Sequence, residues 1–313
     1  IGEIHVESPL EIDRISAICR RLAICGHIAV RVNPREEAQG GSMRMGGKPL
    51  QFGIDEEKLE EVISQIIADP CLDLQGLHLF TGTQILDHSV LLRQYRKGVE
   101  IAAKVARQFG HPLPTLDFGG GLGIQYFAGE RPLNMEMLRR ELNSLIADLR
   151  EYPLFAGTQF LLEPGRYLVG EAGIYVCRVT DIKSSRGKKF LIVDGGMHHH
   201  LAASGNLGQV IKKNFPVAIL NKMKRERLER VEVVGPLCTP LDVLARDIEL
   251  PAADVGDLVG VFQSGAYART SSPLGFLSHP SPAEVLVENG QTRLIRRRGT
   301  CADLFADLPA ELS

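Results

Sequence analysis

The alternation of short apolar strands with amphipathic helices over the first 170 residues constrains this sequence most. Residues 28–32 and 76–80 are apolar runs of strand length, and between them residues 59–67 place Leu, Val and Ile at helical spacing. A longer amphipathic pattern over residues 89–109 stops at Gly110, the residue type that most often closes a helix in the left-handed conformation. This alternation predicts a parallel sheet with helical crossovers, which is an α/β fold.

The same pattern predicts how many strand–helix units the chain contains. Strands at residues 4–6, 115–118 and 159–163 and a helix at residues 135–151 complete the series, and the Ser-Pro-Leu-Glu string at residues 8–11 indicates a capping box. The total is five strands of βα type, whereas a closed parallel barrel needs about eight. Either the sheet is open or about three units precede the first residue. We expect the second, a (β/α)8 barrel whose N-terminal strands are missing from this chain.

The pattern changes at about residue 170. Beyond it, short strands follow one another, with turn sequences such as Asn289-Gly290 between them. The strands are predicted at residues 174–182, 189–193, 231–234, 258–263, 284–287 and 292–295. We interpret residues 1–170 as the partial barrel and residues 171–313 as a mainly antiparallel β domain with one helical insertion near residues 208–228.

The composition argues against several classes of function. The net charge of −2 gives no electrostatic reason to bind nucleic acid or an anionic membrane. No apolar run approaches the roughly 20 residues that span a bilayer. The six cysteines are scattered without a Cys-x-x-Cys pair, which argues against a zinc site and for reduced thiols. We therefore expect a cytoplasmic protein with no metal, no nucleic-acid partner and no membrane association.

Two motifs follow predicted strands, at the strand ends where α/β folds build their sites. Gly119, Gly120 and Gly121 can turn backbone N–H groups towards a phosphate, although a bare glycine run is equally typical of a flexible βα loop. Glu163 and Arg166 stand in the string EPGRY, where a carboxylate can hold a ring nitrogen protonated and an arginine can pair with a phosphate. A surface salt bridge would explain the same two residues.

Further polar segments lie near other predicted strands. Residues 76–84 (GLHLFTGTQ) carry aromatic and hydroxyl groups beyond a strand end, and residues 235–242 (GPLCTPLD) place a cysteine between two prolines. A packing role stays open for both. His198, His199 and His200 are consecutive, and successive side chains of a strand point to opposite faces. We therefore expect a polar loop or a substrate-facing role for them, and no metal.

Six segments, taken together and in this order, resemble the ornithine and diaminopimelate decarboxylase superfamily, whose fold-type III enzymes depend on pyridoxal 5'-phosphate. The segments are RVNP, LDFGGGLG, EPGRYLVGEAG, VDGGM, GPLCTPLD and QSGAYA, and the resemblance runs from residue 1 to about residue 290. Within the superfamily, the decarboxylases of exosortase and exopolysaccharide gene clusters are similar to the longer strings GGSMRMGGKPLQFGID and VDGGMHHHLAASGNLGQVIKKNFPVAI. The resemblance implies an alanine-racemase-like barrel that binds the cofactor, followed by a β domain.

The resemblance also implies roles for individual residues. Glu163 is expected to pair with the ring nitrogen of the cofactor, Arg31 to lie near its phenolic oxygen, and Cys238 to return a proton to the substrate carbon. The expected phosphate-binding residues are Gly119, Gly120, Gly121, Arg166, Tyr267 and Thr83, the last in place of a serine. In the family the cysteine reaches the site of the neighbouring subunit, so a homodimer with shared active sites is implied.

Three departures from the family pattern change the expectations. The family's cofactor-bearing lysine lies in a motif at the end of the first barrel strand, and because no such motif occurs here, we expect that segment to precede the chain. Phe80 stands where relatives stack a histidine on the cofactor ring, and His78 is the alternative catalytic imidazole. Thr239 stands where many relatives have an acidic residue that binds a distal amine of the substrate, and Asp242 and His198 are the other candidate substrate contacts.

The expected activity is the decarboxylation of an amino acid, or of an amino-acid derivative tethered to a carrier, in a pathway linked to exopolysaccharide synthesis or exosortase. Two alternatives stay open on sequence alone. An amino-acid racemase has a similar architecture and the same cofactor, and an inactive decarboxylase-like regulator would explain the missing lysine motif. The retained Glu163, Arg166, Cys238 and Tyr267 favour an active enzyme.

Overall fold

The computed structural model describes residues 1–35, 43–44, 49–207, 209, 211–225 and 227–309. The chain divides into two compact units. The first comprises Ile1–Gln125 and Arg131–Tyr167, and the second comprises Tyr126–Glu130 and the residues from Leu168 onward. Parts of the two longest family-like strings, at residues 40–42, 45–48, 208 and 210, lie outside the described residues.

The first unit consists of strands joined by helices. Its strands are β1 (Ile4–Val6), β2 (Gly26–Asn33), β3 (Met43–Arg44), β4 (Ile54–Asp55), β5 (Leu72–Leu79), β6 (Gly82–Thr83), β7 (Thr115–Asp117) and β8 (Gln159–Leu161). Its helices are α1 (Pro9–Leu22), α2 (Leu59–Ala68), α3 (His88–Phe109) and α4 (Met135–Arg150), and a short helix, α5 (Gly165–Val169), contains its last residues.

The main sheet of the first unit is parallel. Its strands lie in the order β1, β2, β5, β7, β8, and β4 pairs with the end of β2. The strand order follows the chain order because α1, α2, α3 and α4 each return the chain to the same end of the sheet. The predicted parallel α/β arrangement is confirmed.

The helix boundaries follow local capping chemistry. The side chain of Ser8 accepts the N–H of Glu11 at 3.3 Å, with Pro9 at the first helical position of α1. The carboxylate of Glu11 bonds the N–H of Glu7 at 2.6 Å, one residue before the capping residue. Helix α3 ends at Gly110, whose φ of 86° is left-handed, as predicted.

The second unit is built from β-strands. Its strands are β9 (Tyr175–Ser185), β10 (Lys188–Val193), β11 (Val217–Ile219), β12 (Leu228–Val234), β13 (Val243–Pro251), β14 (Leu258–Val261), β15 (Glu284–Glu288) and β16 (Gln291–Arg296). Six of them form one sheet in the order β11, β14, β9, β10, β12, β13, and β15 pairs with β16 as a separate hairpin. All pairs are antiparallel except β10 with β12, so the mainly antiparallel prediction is confirmed.

The predicted helical insertion near residues 208–228 is wrong. In the described part of this stretch the chain forms β11, one 3-10 turn (Leu220–Lys222) and the first residue of β12. Pro216 cannot donate a helical hydrogen bond, and its carbonyl oxygen accepts the N–H of Phe262 at 2.9 Å. That bond continues the ladder between β11 and β14. Strand β13 was not predicted and pairs with β12.

Candidate active site

Half of the predicted site residues lie at one edge of the parallel sheet, where the carboxyl ends of its strands meet. Arg31 lies near the end of β2 and His78 near the end of β5, and Phe80 directly follows β5. The glycine run 119–121 follows β7, and Glu163 follows β8. Four adjacent strands of one sheet therefore supply these residues.

The glycine run is packed closely against its neighbours. A Cβ atom at Gly119 would lie 2.5 Å from the carbonyl oxygen of Leu79, and one at Gly120 would lie 2.6 Å from that of Glu163. Gly119 and Gly121 also have left-handed φ values of 67° and 101°. Because the N–H of Glu163 donates to the carbonyl of Gly119 at 2.9 Å, the loop and Glu163 are fixed to each other. Backbone packing alone thus requires glycine here, whether or not the loop binds a phosphate.

The carboxylate of Glu163 is held by a buried imidazole. Nε2 of His78 lies 3.2 Å from Oε2 of Glu163, and 7% of the His78 side chain is exposed against 51% of the Glu163 side chain. Burial lowers the pKa of His78 to about 4, so this imidazole is neutral near neutral pH and its Nε2–H donates to the carboxylate. The protein thus fixes one oxygen of Glu163 while the side chain stays accessible.

Two residues that the sequence analysis missed, His5 and Asp117, complete this cluster. The His5 ring stacks on His78 with 4.8 Å between centroids and 27° between planes. The carboxylate of Glu3 lies 2.8 Å from Nε2 of His5, and this hydrogen bond raises the pKa of His5. Burial raises the pKa of Asp117, whose Oδ1 accepts the N–H of Gly119 at 2.7 Å. Asp117 therefore holds the start of the glycine run, with a carboxylate oxygen within 4.8 Å of a nitrogen of each imidazole.

The four side chains of this cluster converge. Within the part of the chain that the structure describes, the candidate ligand atoms of His5, His78, Asp117 and Glu163 are the one such group close enough to hold a metal ion, all within 4.8 Å of one another. The same convergence suits the protonated nitrogen of an aromatic ring. Asp117 had a sequence signal, since it stands two residues before Gly119 in LDFGGG. His5 had none, because a histidine in a three-residue strand is ordinary.

Arg31 and Phe80, both predicted near the cofactor ring, lie close to each other. Arg31 pairs with Glu7 at 2.6 Å, and its guanidinium carbon lies 4.9 Å from the centre of the Phe52 ring and 5.8 Å from that of Phe80. Cε2 of Phe80 would lie 3.9 Å from a Cβ atom at Gly120. These contacts place Arg31 and Phe80 beside the glycine run, with the charge of Arg31 balanced by a carboxylate.

Thr83 and Arg166 are the remaining predicted residues of the first unit. Thr83 is half-buried at the end of β6, next to Gly82, whose carbonyl oxygen would lie 2.7 Å from a Cβ atom at Gly121. Arg166 is half-buried in α5, three residues after Glu163. Thr83 is therefore close in the fold to the glycine run, and Arg166 is close in sequence to Glu163. Their contacts with a phosphate stay predictions.

The remaining predicted residues belong to the second unit, where Cys238 and Thr239 occupy the loop between β12 and β13. Cys238 is exposed and Thr239 is half-buried. Asp242, by contrast, is only 3% exposed. Its Oδ1 accepts the N–H of Met197 at 2.6 Å, and its Oδ2 accepts the N–H of Leu237 at 2.9 Å. Both oxygens of Asp242 are therefore committed to the backbone, which favours a structural role over a substrate contact.

The three consecutive histidines form a buried turn and not the polar loop that we expected. His198, His199 and His200 are 0%, 4% and 0% exposed. Nε2 of His199 lies 2.8 Å from the carbonyl oxygen of Pro280, and Nε2 of His200 lies 2.9 Å from Oγ of Ser264. Burial lowers the pKa of all three, to about 3 for His198 and about 4 for His200. The polar-loop expectation is wrong because this turn, unlike a strand, allows neighbouring rings to be buried together, whereas a substrate contact of His198 stays a prediction.

Tyr267 lies on a loop that backbone bonds attach to the start of the second unit. The N–H of Gly265 donates to the carbonyl of Gly170, and the N–H of Ser264 donates to that of Gly173, each at 2.9 Å. Tyr267 itself is 49% exposed and has a left-handed φ of 54°, an uncommon conformation for a tyrosine. The segments QSGAYA and GEAG, both part of the family resemblance, are therefore neighbours in the fold.

Comparisons with known proteins point to one family. Residues 1–170 match the model of the pyridoxal-dependent decarboxylases, pyridoxal-binding domain. The chain is 37% identical to the L-glutamyl-[BtrI acyl-carrier protein] decarboxylase of Niallia circulans, over 97% of this chain and 71% of that protein. It is 33% identical to the diaminopimelate decarboxylase of Methanothermobacter thermautotrophicus, over 99% and 70%. Among solved structures, the chain resembles the diaminopimelate decarboxylase from M. jannaschii in complex with L-lysine, with a TM-score of 0.87 and 26% sequence identity. The match covers all of this chain and 71% of that one.

The expected architecture, an alanine-racemase-like barrel with a β domain, is confirmed by the solved structures of diaminopimelate decarboxylases that this chain resembles. Among the described residues, no helix has both the length and the apolarity needed to cross a membrane. The family model covers more than half of the chain, and the relatives exceed 30% identity over nearly all of it. The chain belongs to the ornithine and diaminopimelate decarboxylase family and is an amino-acid decarboxylase whose cofactor is pyridoxal 5'-phosphate.

Proposed function

We propose that this decarboxylase acts on an α-amino acid whose far end carries no free ammonium, attached to a carrier or built into a larger precursor. The observation that carries the proposal is Thr239, the residue directly after Cys238. A neutral hydroxyl cannot compensate a desolvated ammonium, and an uncompensated charge in such a site is unfavourable by several kcal/mol. A substrate with a distal amine would therefore lack a partner at this position.

The position of Asp242 supports the same conclusion. It is the acidic residue nearest in sequence to Thr239 that could have replaced the missing contact. Because both of its oxygens accept backbone N–H groups and its side chain is buried, releasing it towards a substrate would leave two amides without acceptors. The loop after Cys238 is thus built without a carboxylate that is free to bind an amine.

The relative from Niallia circulans supports the carrier-bound alternative, because its name describes decarboxylation of a glutamyl group on an acyl-carrier protein. Loss of carbon dioxide from the α-carbon requires a free α-carboxylate, so the carrier must be attached through the distal carboxyl group, and the far end of that substrate carries no ammonium. The longer strings that resemble exopolysaccharide and exosortase decarboxylases support a place in such a pathway for this chain. Amino acids attached to a carrier or a precursor would suit a pathway of that kind.

The residues at the carboxyl edge of the first unit fit pyridoxal phosphate. Glu163 is a half-exposed carboxylate held in place beside the glycine run, as a partner for the ring nitrogen must be. Gly119 to Gly121, Arg166 and Thr83 are the proposed phosphate-binding residues of this unit, with Phe80 and Arg31 beside the ring, and Tyr267 of the second unit is proposed as a further phosphate contact. When bound, the cofactor takes up the electrons that the departing carbon dioxide leaves behind. Glu163 keeps the ring nitrogen protonated because an opposite charge nearby favours the ionised form.

Cys238 is the proposed acid of the reaction. Its thiol gives the α-carbon of the substrate the proton that replaces the lost carboxylate, before the amine product is released from the cofactor. Its exposed position between two prolines supports this role, since a thiol that serves only packing is usually buried. In the proposed homodimer this thiol acts in the site of the neighbouring subunit.

Release of carbon dioxide from a set of substrates tests the proposal. The set contains ornithine, lysine, diaminopimelate, free glutamate and a glutamyl thioester of an acyl-carrier protein. We expect turnover of the carrier-bound substrate and little turnover of the three diamines. The variant Thr239→Asp serves as the matched comparison, and it should gain activity on the diamines. Efficient turnover of free ornithine, lysine or diaminopimelate by the unsubstituted protein would contradict the proposal, as would racemisation without release of carbon dioxide.

A further inference from the structure

The carboxylate of Glu163 stands beyond the end of β8, on a segment outside regular structure, whereas the imidazole that contacts it lies inside the sheet. We propose that His78 is a positioning residue, whose Nε2–H holds one oxygen of Glu163 so that the other oxygen faces the ring nitrogen of the cofactor. This inference rests on the proposed role of Glu163. It gives His78 a task different from stacking on the cofactor ring, and it adds His5 to the site as the support of His78.

The sheet makes His78 a rigid anchor. It lies on β5, which is hydrogen-bonded on one side to β2 and on the other to β7, and its backbone is in register with Arg31 and Asp117. The ring of His5 from β1 covers one face of the imidazole at 4.8 Å. A glutamate side chain alone samples several rotamers, so a hydrogen bond from a fixed donor reduces the entropy lost when the carboxylate meets its partner.

The donors and acceptors around His78 identify the tautomer of its neutral ring. An ionised carboxylate only accepts hydrogen bonds, so the proton of a neutral imidazole that contacts Glu163 lies on Nε2. Nδ1 then carries a lone pair, and it is buried with no hydrogen-bond partner among the described residues. An unpartnered buried acceptor is unfavourable for folding. An apolar side chain would pack at this place without that penalty, so the imidazole is explained by its contact with Glu163.

The charges around His78 explain why a neutral donor suits this position. The groups that face it are His5 from β1, Glu7 directly after β1, Arg31 from β2, Asp117 from β7, and Glu163 itself. Desolvation outweighs the attraction of the nearby carboxylates and keeps the imidazole uncharged. A lysine or arginine in its place would neutralise Glu163, whereas a neutral imidazole orients the carboxylate and leaves its full negative charge for the protonated ring.

Three variants test the inference through the affinity for pyridoxal phosphate, measured by equilibrium dialysis. His78→Phe keeps a ring against His5 but removes the donor, and we expect about tenfold weaker binding. His78→Gln supplies an amide N–H, and it should recover most of the affinity. His27→Gln is the matched control, because His27 lies exposed on β2, near the opposite end of the strand from Arg31, and should bind like the unsubstituted protein. Melting temperatures should not fall in His78→Phe, since it removes a buried unpartnered nitrogen.

A purely structural histidine would give the opposite pattern, in which His78→Phe melts at lower temperature and binds the cofactor normally. That result would overturn the inference, and so would a His78→Gln variant as weak as His78→Phe. If the unsubstituted protein does not bind pyridoxal phosphate, the proposed function fails and the positioning role fails with it. Normal cofactor binding without dependence on residue 78 overturns the positioning role alone.

Nitrogen-15 NMR of the unsubstituted protein gives a second test that needs neither a variant at residue 78 nor activity. We expect the His78 ring to be the neutral Nε2–H tautomer from about pH 5.5 to about pH 8, with a strongly hydrogen-bonded proton that disappears in Glu163→Ala. An Nδ1–H tautomer or a charged ring near neutral pH would overturn the inference. One bound divalent metal ion per chain, found by elemental analysis and lost in the same Glu163→Ala variant, would overturn it as well.

Discussion

The two groups of buried histidines in this protein differ in what surrounds them. In the first unit, His5 and His78 lie among the carboxylates of Glu3, Asp117 and Glu163, and Glu163 is half exposed. In the second unit, the run of histidines at residues 198–200 is buried among backbone carbonyls, a serine and other rings. Both groups contain neutral imidazoles, yet among the described residues only the first has an imidazole hydrogen-bonded to a half-exposed carboxylate. The groups around a histidine, more than its burial, therefore distinguish the carboxyl edge of the first unit's sheet, where we place the active site, from the buried turn at residues 198–200.

Two carboxylates show the same contrast. One oxygen of Glu163 accepts a hydrogen bond from His78, and half of the Glu163 side chain is exposed. Both oxygens of Asp242 accept hydrogen bonds from backbone amides, and its side chain is buried. We infer that a change at Glu163 alters cofactor chemistry with little effect on folding. A change at Asp242 should alter folding first.

The largest effect is expected from Glu163→Gln, which keeps the size of the side chain and removes its charge. Because the ring nitrogen then loses the charge that keeps it protonated, we expect the rate of decarboxylation to fall by about 10²- to 10³-fold, with a melting temperature close to that of the unsubstituted protein. Steady-state kinetics and thermal melting measure the two quantities. Glu136→Gln, which breaks an exposed pair with Arg139, is the control and should change neither. A variant at Glu163 that keeps full activity would remove the distinction between the two carboxylates.

Cys238→Ala should have the next largest effect. Removal of a general acid lowers the rate by about 10²-fold, while the affinity for the cofactor stays unchanged because the proton is delivered after the cofactor is bound. The ratio of amine to misprotonated products should also change. Cys301→Ala removes another exposed thiol of the second unit and is the matched control. Unchanged turnover together with an unchanged product ratio in Cys238→Ala would assign this cysteine to structure.

Asp242→Asn is expected to destabilise the second unit by about 2 kcal/mol. One of the two amides of Met197 and Leu237 would then face an N–H₂ group in place of an acceptor. Urea unfolding compared with Asp247→Asn, whose exposed side chain pairs with Arg230, measures the effect. If the substitution at residue 242 leaves stability intact but changes which amines are decarboxylated, Asp242 is a substrate residue and the comparison fails.

The buried histidine turn predicts a dependence of stability on pH. Burial lowers the pKa of folded His200 to about 4, below the ordinary value of about 6.5 that the unfolded chain retains. Between these values the unfolded chain binds more protons, so this contribution to stability is complete above pH 6.5 and is lost as pH falls towards 4. His200→Phe should therefore reduce the slope of unfolding free energy against pH in this window by up to about 1.4 kcal/mol per pH unit. An identical slope in both proteins would show that His200 does not titrate in this way.

The sequence predicted the parallel sheet and its helices because their signals are local. Ser8 with Pro9 begins α1, Gly110 ends α3, and apolar spacing identifies the buried faces. The second unit was harder to predict, since β11 has only three residues and pairs with the distant β14, and β13 mixes charged with apolar residues.

The candidate site was only partly predictable for a related reason. Glu163 and the glycine run stand in recognisable strings, whereas His5 joins them through strand register. His5 is in register with Ala29 of β2, and His78 is in register with Arg31, two residues further along the same strand face. A single sequence does not fix register between parallel strands, so the meeting of His5 and His78 could not be derived from it. The buried turn of histidines was missed because its neighbours come from distant segments.

The most direct test of the central claim, that Glu163 pairs with the cofactor's ring nitrogen, uses an analogue of pyridoxal phosphate in which a C–H group replaces that nitrogen. Equilibrium dialysis gives the affinities of the cofactor and of this 1-deaza analogue for the unsubstituted protein and for Glu163→Gln. The account predicts that the unsubstituted protein prefers the natural cofactor by about tenfold or more, and that Glu163→Gln abolishes the preference. Equal preference in the two proteins would contradict it.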